Sequence, residues 1–224
     1  MGQSIGIILA GGIGARFGAD KPKQYCKIFD KEMIWYSINA FNTAKSISDF
    51  IVVVDEKELE SGRLAQEYGV KLVLGGKTRN ESFKNALDYI NEHYPDCEKI
   101  IENNAACPMI TSELIDEFIG LLDEYDFVNT AYKITDALAS YKDHIANREG
   151  FYLIQAPDAY RFKLLYQYFD ENSPLCHPAH QLPLTTKEYR YFGYNDNYKV
   201  TYPEDIAIVE MLMERRNRAK ANAH

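Results

Sequence analysis

An α/β fold with a mostly parallel sheet is what this chain predicts, and three observations predict it. Short apolar runs alternate with amphipathic stretches of helical period from Ile5 to Ala131. The run Asp49-Phe-Ile-Val-Val-Val54 is apolar without interruption, as in a strand covered on both faces. Two of the runs also end in glycine-rich turns that open onto charged residues, which is how a buried strand hands over to an anion-binding loop.

The first strand, Ile5 to Leu9, runs into Ala10-Gly-Gly-Ile-Gly-Ala-Arg16-Phe-Gly18, with four glycines in eight residues, and then into Asp20-Lys-Pro-Lys-Gln-Tyr25. Glycines let backbone N–H groups approach phosphate oxygens closely, and Arg16, Lys21 and Lys23 supply the cations that a triphosphate demands. We therefore read Ala10, Gly11, Gly12 and Gly14 as the lip of a triphosphate cradle, with Arg16 and Lys23 as its charged clamps. It is neither a Walker loop, for which Gly-Lys-Ser/Thr is lacking, nor a dinucleotide fingerprint, because Phe17 stands where the third glycine belongs.

Met33 to Ala44 carries Ile34, Trp35, Ile38 and Phe41 at helical spacing. The strand to Val54 follows, then a polar helical stretch from Lys57 to Tyr68, then a strand from Val70 to Leu74. Gly75-Gly-Lys-Thr-Arg-Asn-Glu-Ser82 repeats the logic of the first loop, and Thr78 with Glu81 reads as a capping box for a helix to about His93. Gly76, Arg79 and Ser82 form the expected second wall of a nucleotide site.

The strand Lys99 to Glu102 ends at Asn103-Asn104-Ala-Ala-Cys107-Pro108, polar residues at a strand's carboxyl end. A helix from Glu113 to Leu122 and a strand from Phe127 to Ala131 continue the pattern. Residues 132–151 break it and suggest a projecting hairpin that turns at Asn147-Arg-Glu-Gly150. Tyr152 to Pro157 returns to the core, Phe162 to Phe169 is helical, and 171–188 reads as a mobile loop. Lys199 is placed in a strand near the surface, and Thr201 with Glu204 reads as a capping box for a last, basic-ended helix. There is no internal repeat or linker, so 1–224 is expected to be one domain, with 132–152 as its arm.

Composition narrows the function. The net charge of −8 and pI near 5.2 argue against a nucleic-acid partner. No apolar stretch reaches the ~20 residues of a membrane span, and no signal peptide is apparent, so a cytoplasmic protein is expected. Cys26, Cys97, Cys107 and Cys176 lack zinc or disulfide spacing, and Cys176-His177-Pro-Ala-His180 reads as an ordinary polar loop.

Together these blocks resemble the cytidylyltransferases of the methylerythritol phosphate and ribitol phosphate type. The likeness rests on Leu9 to Arg16, Pro22-Lys-Gln-Tyr25, Gly75 to Ser82, Asn104 to Pro108, Gln155-Ala-Pro157 and Asn197-Tyr-Lys-Val-Thr201-Tyr-Pro-Glu-Asp205. It implies a three-layer sandwich with a Rossmann-like nucleotidyltransferase sheet and a β-hairpin arm. It also implies transfer of CMP from CTP to a small phosphorylated polyol, with Mg²⁺ and release of pyrophosphate. By the same likeness Arg16, Lys23 and Lys199 are catalytic, and Ala10, Gly11, Gly12, Gly14, Gly76, Arg79, Ser82 and Asn104 bind nucleotide. Asn104 and Asp196 hold the metal, and Asp136, Arg148 and Thr201 serve the acceptor, the first two across a homodimer.

The chain departs from that pattern where the family usually has Asp-Ala-Ala-Arg-Pro or Asp-Ala-Val-Arg-Pro and this sequence has Asn104-Ala-Ala-Cys107-Pro108. Glu102 is a candidate substitute for the missing carboxylate. Asp-Thr becomes Asp136-Ala137, and Gln-Thr-Pro-Gln becomes Gln155-Ala156-Pro157-Asp158. The changes fall in the acceptor half, which favours an alditol phosphate of ribitol or glycerol type, with methylerythritol 4-phosphate as the second acceptor. A non-catalytic nucleotide-binding relative is the third reading.

Overall fold

The computed structural model describes residues 2–12, 17–18, 21–142 and 147–222. In chain order its strands are β1 (Gln3–Leu9), β2 (Lys27–Ile28), β3 (Lys31–Glu32), β4 (Asp49–Val54), β5 (Lys71–Leu74), β6 (Cys97–Asn104), β7 (Phe127–Lys133), β8 (Tyr152–Arg161) and β9 (Glu188–Tyr191). The helices are α1 (Met33–Thr43), α2 (Glu56–Ser61), α3 (Arg63–Tyr68), α4 (Arg79–His93), α5 (Ser112–Leu121), α6 (Phe162–Tyr168) and α7 (Asp205–Asn222).

Seven strands form one sheet in the order β5-β4-β1-β6-β8-β7-β9, while β2 and β3 pair with each other. Strand β1 is central: Ile5 is in register with Asp49 of β4 on one side and with Ile100 of β6 on the other, both parallel. Within the sheet only β8 runs against its neighbours, antiparallel to β6 and to β7, while β7 and β9 are parallel. The expected α/β sandwich with a mostly parallel sheet is therefore what the chain forms.

The alternation of the strands supplies two cores. Ile8, Val52 and Val54 face Ile34, Ile38 and Phe41 of α1 and Leu114, Ile115 and Phe118 of α5. Ile5, Ile7, Leu9, Ile51 and Val53 face Phe83, Leu87 and Ile90 of α4 and Phe162 and Leu165 of α6. Burial on both faces is why these strands read as unbroken apolar runs. A third cluster, with Phe17, Ile28, Met33, Val200, Val209 and Met213, packs α7 beside the first loop. Phe118 is wholly buried and its ring centroid lies 5.2 Å from that of Tyr191. Phe118→Ala should cost about 3–5 kcal/mol, read as a lowered midpoint in denaturant unfolding.

Four local expectations are corrected. The helical stretch from Lys57 to Tyr68 is broken at Gly62, which adopts φ +60° between α2 and α3. Helix α7 is not opened by a Thr201–Glu204 box: the Asp205 carboxylate accepts the N–H groups of Thr201 (2.7 Å) and Tyr202 (2.8 Å). Lys199 lies in no strand but in an extended segment anchored by the Val200 N–H to Ala106 O at 2.8 Å. The segment expected as a mobile loop contains a 3₁₀ turn, Pro178–Gln181, and is tied to α4, because Asn80 Nδ2 donates to Ser173 O and Leu175 O at 3.1 Å each.

The excursion of 132–152 hangs from the antiparallel β7–β8 pair, whose last register partners are Lys133 and Tyr152. Beyond them the described residues form no further strand, and Arg148–Gly150 makes a 3₁₀ turn capped by Asn147.

Candidate active site

The strand order places the site. From β1 the chain goes to β4 and β5 on one side, then crosses to β6 on the other, so the order reverses at the carboxyl end of β1. A crevice outside the carboxyl ends of the strands at such a point is where open α/β sheets bind ligands. Here it is a cleft of about 860 Å³ lined by the ends of β1, β4, β5 and β6, the start of α4, and Lys23, Lys199 and Thr201.

One wall is the first glycine loop. Ala10 N–H donates to Val53 O at 2.8 Å, which holds the chain in the sheet up to the turn. Gln24 then stitches the loop from behind: its buried Nε2 donates to Ala10 O (2.6 Å) and Gly12 O (3.2 Å). Sequence reading passed over Gln24. The signal was its place beside Lys23 in the 3₁₀ turn Lys23–Tyr25, which turns the cation to the cleft and the amide inward. Gly14 and Arg16 lie outside the described residues.

The other wall is Gly75-Gly76 and the first turn of α4. Ser82 Oγ accepts the Gly76 N–H at 3.0 Å and donates to Thr78 O at 2.8 Å. Thr78 Oγ1 accepts the Glu81 N–H at 3.0 Å, but the Glu81 carboxylate accepts the N–H of Lys77 (2.8 Å), not that of Thr78, so half of the expected capping box forms. Both Gly76 and Ser82 line the cleft.

The remaining side brings together distant cations. Lys23 Nζ donates to Val200 O at 2.8 Å, and Val200 N–H donates to Ala106 O. Burial of the Val200 side chain puts Lys199 and Thr201, one residue to either side, on the cleft. Arg79 lines the opposite side, its guanidinium paired with the carboxylate of Glu102. Glu102 is fully buried in that pair and does not line the cleft, so it does not replace the missing metal carboxylate. Burial raises its pKa, and Arg79 pulls it back only in part.

Asn104 lines the cleft, with Oδ1 accepting the Ala106 N–H at 2.9 Å. Asp196 is not a lining residue; its carboxylate pairs with Arg215 of α7 at 2.9 Å. A magnesium ion asks for oxygen ligands that include carboxylate, and one neutral amide plus a carboxylate engaged elsewhere do not supply them. These two residues therefore do not fit the ion expected of them, and among the described residues no three His, Cys, Asp or Glu side chains cluster for a metal. Cys107 is buried beneath the β6 turn, and burial pushes its thiol up to about 12, so it acts as a neutral packing group. Asp136 and Arg148 stay away from the cleft on the exposed excursion, where Arg148 donates to Thr135 O.

Two glycine walls, converging lysines and arginine, and a described lining without histidine or cysteine make a site suited to holding a polyphosphate and to chemistry by positioning and charge. Its class is nucleotidyltransferase. The chain belongs to the 2-C-methyl-D-erythritol 4-phosphate cytidylyltransferase (IspD) family, whose profile matches residues 5–215. The 2-C-methyl-D-erythritol 4-phosphate cytidylyltransferase of Clostridium botulinum (strain 657 / Type Ba4) is 28% identical over 231 residues, covering 96% of this chain and 99% of that one. The Haemophilus influenzae bifunctional ribulose 5-phosphate reductase/CDP-ribitol pyrophosphorylase Bcs1 is 28% identical over 236 residues, covering 96% of this chain and 49% of that protein. In fold, the chain matches the crystal structure of 4-diphosphocytidyl-2C-methyl-D-erythritol synthase from Anaerococcus prevotii DSM 20548, with a TM-score of 0.79, 21% identity, and 95% and 96% of the two chains covered. No helix among the described residues is long and apolar enough to cross a membrane.

Proposed function

We propose that this cytidylyltransferase transfers CMP from CTP to an alditol phosphate of ribitol or glycerol type. The observation that carries the reading is the convergence of Lys23, Lys199 and Arg79 on one cleft between two glycine walls. The cytosine would rest against Ala10, Gly76 and Ser82, and the triphosphate against Gly11, Gly12 and Lys23.

An oxygen of the acceptor's phosphate attacks the α-phosphorus of CTP, the bond to the bridging oxygen of the β-phosphate breaks, and pyrophosphate leaves. A phosphate is already nucleophilic at neutral pH, so no general base is needed, and the described lining holds no histidine or cysteine. Lys23 and Lys199 would balance charge on the α-phosphate as it builds, and Thr201 stands beside Lys199 to meet the acceptor. The departures Asn104, which lines the cleft, and Cys107, buried beneath it, favour an acceptor other than methylerythritol 4-phosphate. That compound is the second reading, favoured by the names of full-length relatives such as that of C. botulinum. The excursion 132–152 suits a homodimer contact, since Phe151 and Leu153 are 59% and 55% exposed, with Asp136 and Arg148 serving the neighbour's acceptor.

Pyrophosphate release from CTP in magnesium buffer, across ribitol 5-phosphate, glycerol phosphate and methylerythritol 4-phosphate, tests the choice. The reading expects the highest kcat/KM with an alditol phosphate; a preference for methylerythritol 4-phosphate would overturn it in favour of the second.

A further inference from the structure

Behind Arg79 lies a buried polar group that the transfer reaction does not itself use. Glu102 of β6 and Asp158 of β8 are direct cross-strand partners, and both are buried. Like charges placed opposite one another in a sheet repel, and burial deepens the cost. Each has found a cation: Glu102 pairs with Arg79, and Asp158 Oδ2 meets His177 Nε2 at 3.1 Å. Glu102 Oε2, Asp158 Oδ1 and His177 Nδ1 have no partner among the described residues. The Arg79 side chain is 37% exposed, toward the cleft, and its second anchor is Nη1 to Cys176 O at 3.2 Å, one residue before His177. The guanidinium thus sits between the cleft and two carboxylates, one bound to it and one bound to a histidine.

We propose that Glu102 and the Asp158–His177 pair are positioning residues for the nucleotide: Glu102 fixes the Arg79 guanidinium at the cleft, and His177 keeps Asp158 from drawing it inward. This rests on the reading of the cleft as the CTP site. If Glu102 loses its charge, the anionic group left beside Arg79 is Asp158, with an unpartnered oxygen ready to accept it. If His177 loses its proton, Asp158 is again the stronger competitor for the guanidinium.

The groups around His177 set the sign of the pH effect. It faces Asp158 on β8, Glu102 on β6, Arg79 on α4 and His180 on its own turn, with Glu188 of β9 acting on His180. Burial lowers the His177 pKa, and Asp158 and then Glu102 outweigh burial, so the imidazole stays protonated above its ordinary range. Arg79's hold on the cleft is therefore kept while Glu102, whose own pKa burial raises, stays ionised and His177 stays protonated, and it is lost as pH rises through the raised His177 value.

The test is steady-state kinetics on CTP with the full chain. Glu102→Gln, which keeps the shape and removes the charge, should raise KM for CTP about 5- to 20-fold while kcat changes less than about twofold. In an Arg79→Gln background the same change should shift KM less than about twofold, because the residue through which it acts is gone. His177→Asn should hold KM at the high-pH value of the wild type at every pH. The titration of CTP itself is common to both proteins and cancels in the ratio of their profiles. Additive effects in the double variant, or a KM ratio independent of pH, would overturn the proposal. A lowered kcat with unaltered KM would show a role in folding alone. If the wild-type protein fails to bind CTP at all, it is the reading of the cleft that falls.

Discussion

Lys23→Met should lower nucleotidyl transfer by about 10²- to 10³-fold, the usual effect of removing one donor aimed at developing charge. Lys23 stands on the cleft between the first glycine wall and the segment that carries Lys199 and Thr201. Its Nζ donates to Val200 O at 2.8 Å, so the substitution removes both a cation and a strut under Lys199. The fold should survive, because Val200 keeps its own N–H bond to Ala106 O and its buried side chain. Initial rates of pyrophosphate release, with an unfolding curve beside them, check this. A variant that keeps more than about a tenth of the wild-type rate would remove Lys23 from the chemistry.

Gly76→Ala should be nearly as damaging by a different route. A methyl group at this position would fall on Cβ of Glu81 and within 3.0 Å of its carbonyl carbon, in the first turn of α4. These atoms belong to a helix whose Phe83, Ala86, Leu87 and Ile90 are fully buried, so the helix cannot give way easily. The loop must move instead, and with it the Gly76 N–H that Ser82 Oγ accepts. We expect a loss of about 1–3 kcal/mol in stability and at least about a tenfold weaker Kd for CTP, measured by denaturant unfolding and calorimetric titration.

Much of the fold was legible because each local signal agreed with its tertiary setting. The Phe50 to Val54 run is buried on both faces, and Thr78 does cap α4. Gly62 escaped notice because a glycine within a polar helical stretch carries no period of its own, although its φ of +60° divides α2 from α3. The reversal of β8 was hidden for another reason. Strand direction depends on where the excursion after Lys133 returns, and alternation along Tyr152–Arg161 is the same either way.

The site divides along similar lines. The glycine walls were readable because each is contiguous in the chain. The pairing of Arg79 with Glu102, 23 residues apart, was not, yet an acidic residue inside the apolar run of β6 was a visible anomaly. Asp196 was placed at the metal by likeness of its surroundings, and only the packing of α7 shows its carboxylate turned to Arg215.

The most direct measurement follows the label of CTP carrying radioactive phosphorus at the α-position, incubated with protein, magnesium and ribitol 5-phosphate. The account predicts that the label passes into a cytidine diphosphate–alditol, in step with pyrophosphate release and dependent on the acceptor. Label that remains in CTP with ribitol and glycerol phosphates alike, or that appears as free CMP whether or not acceptor is present, would contradict it.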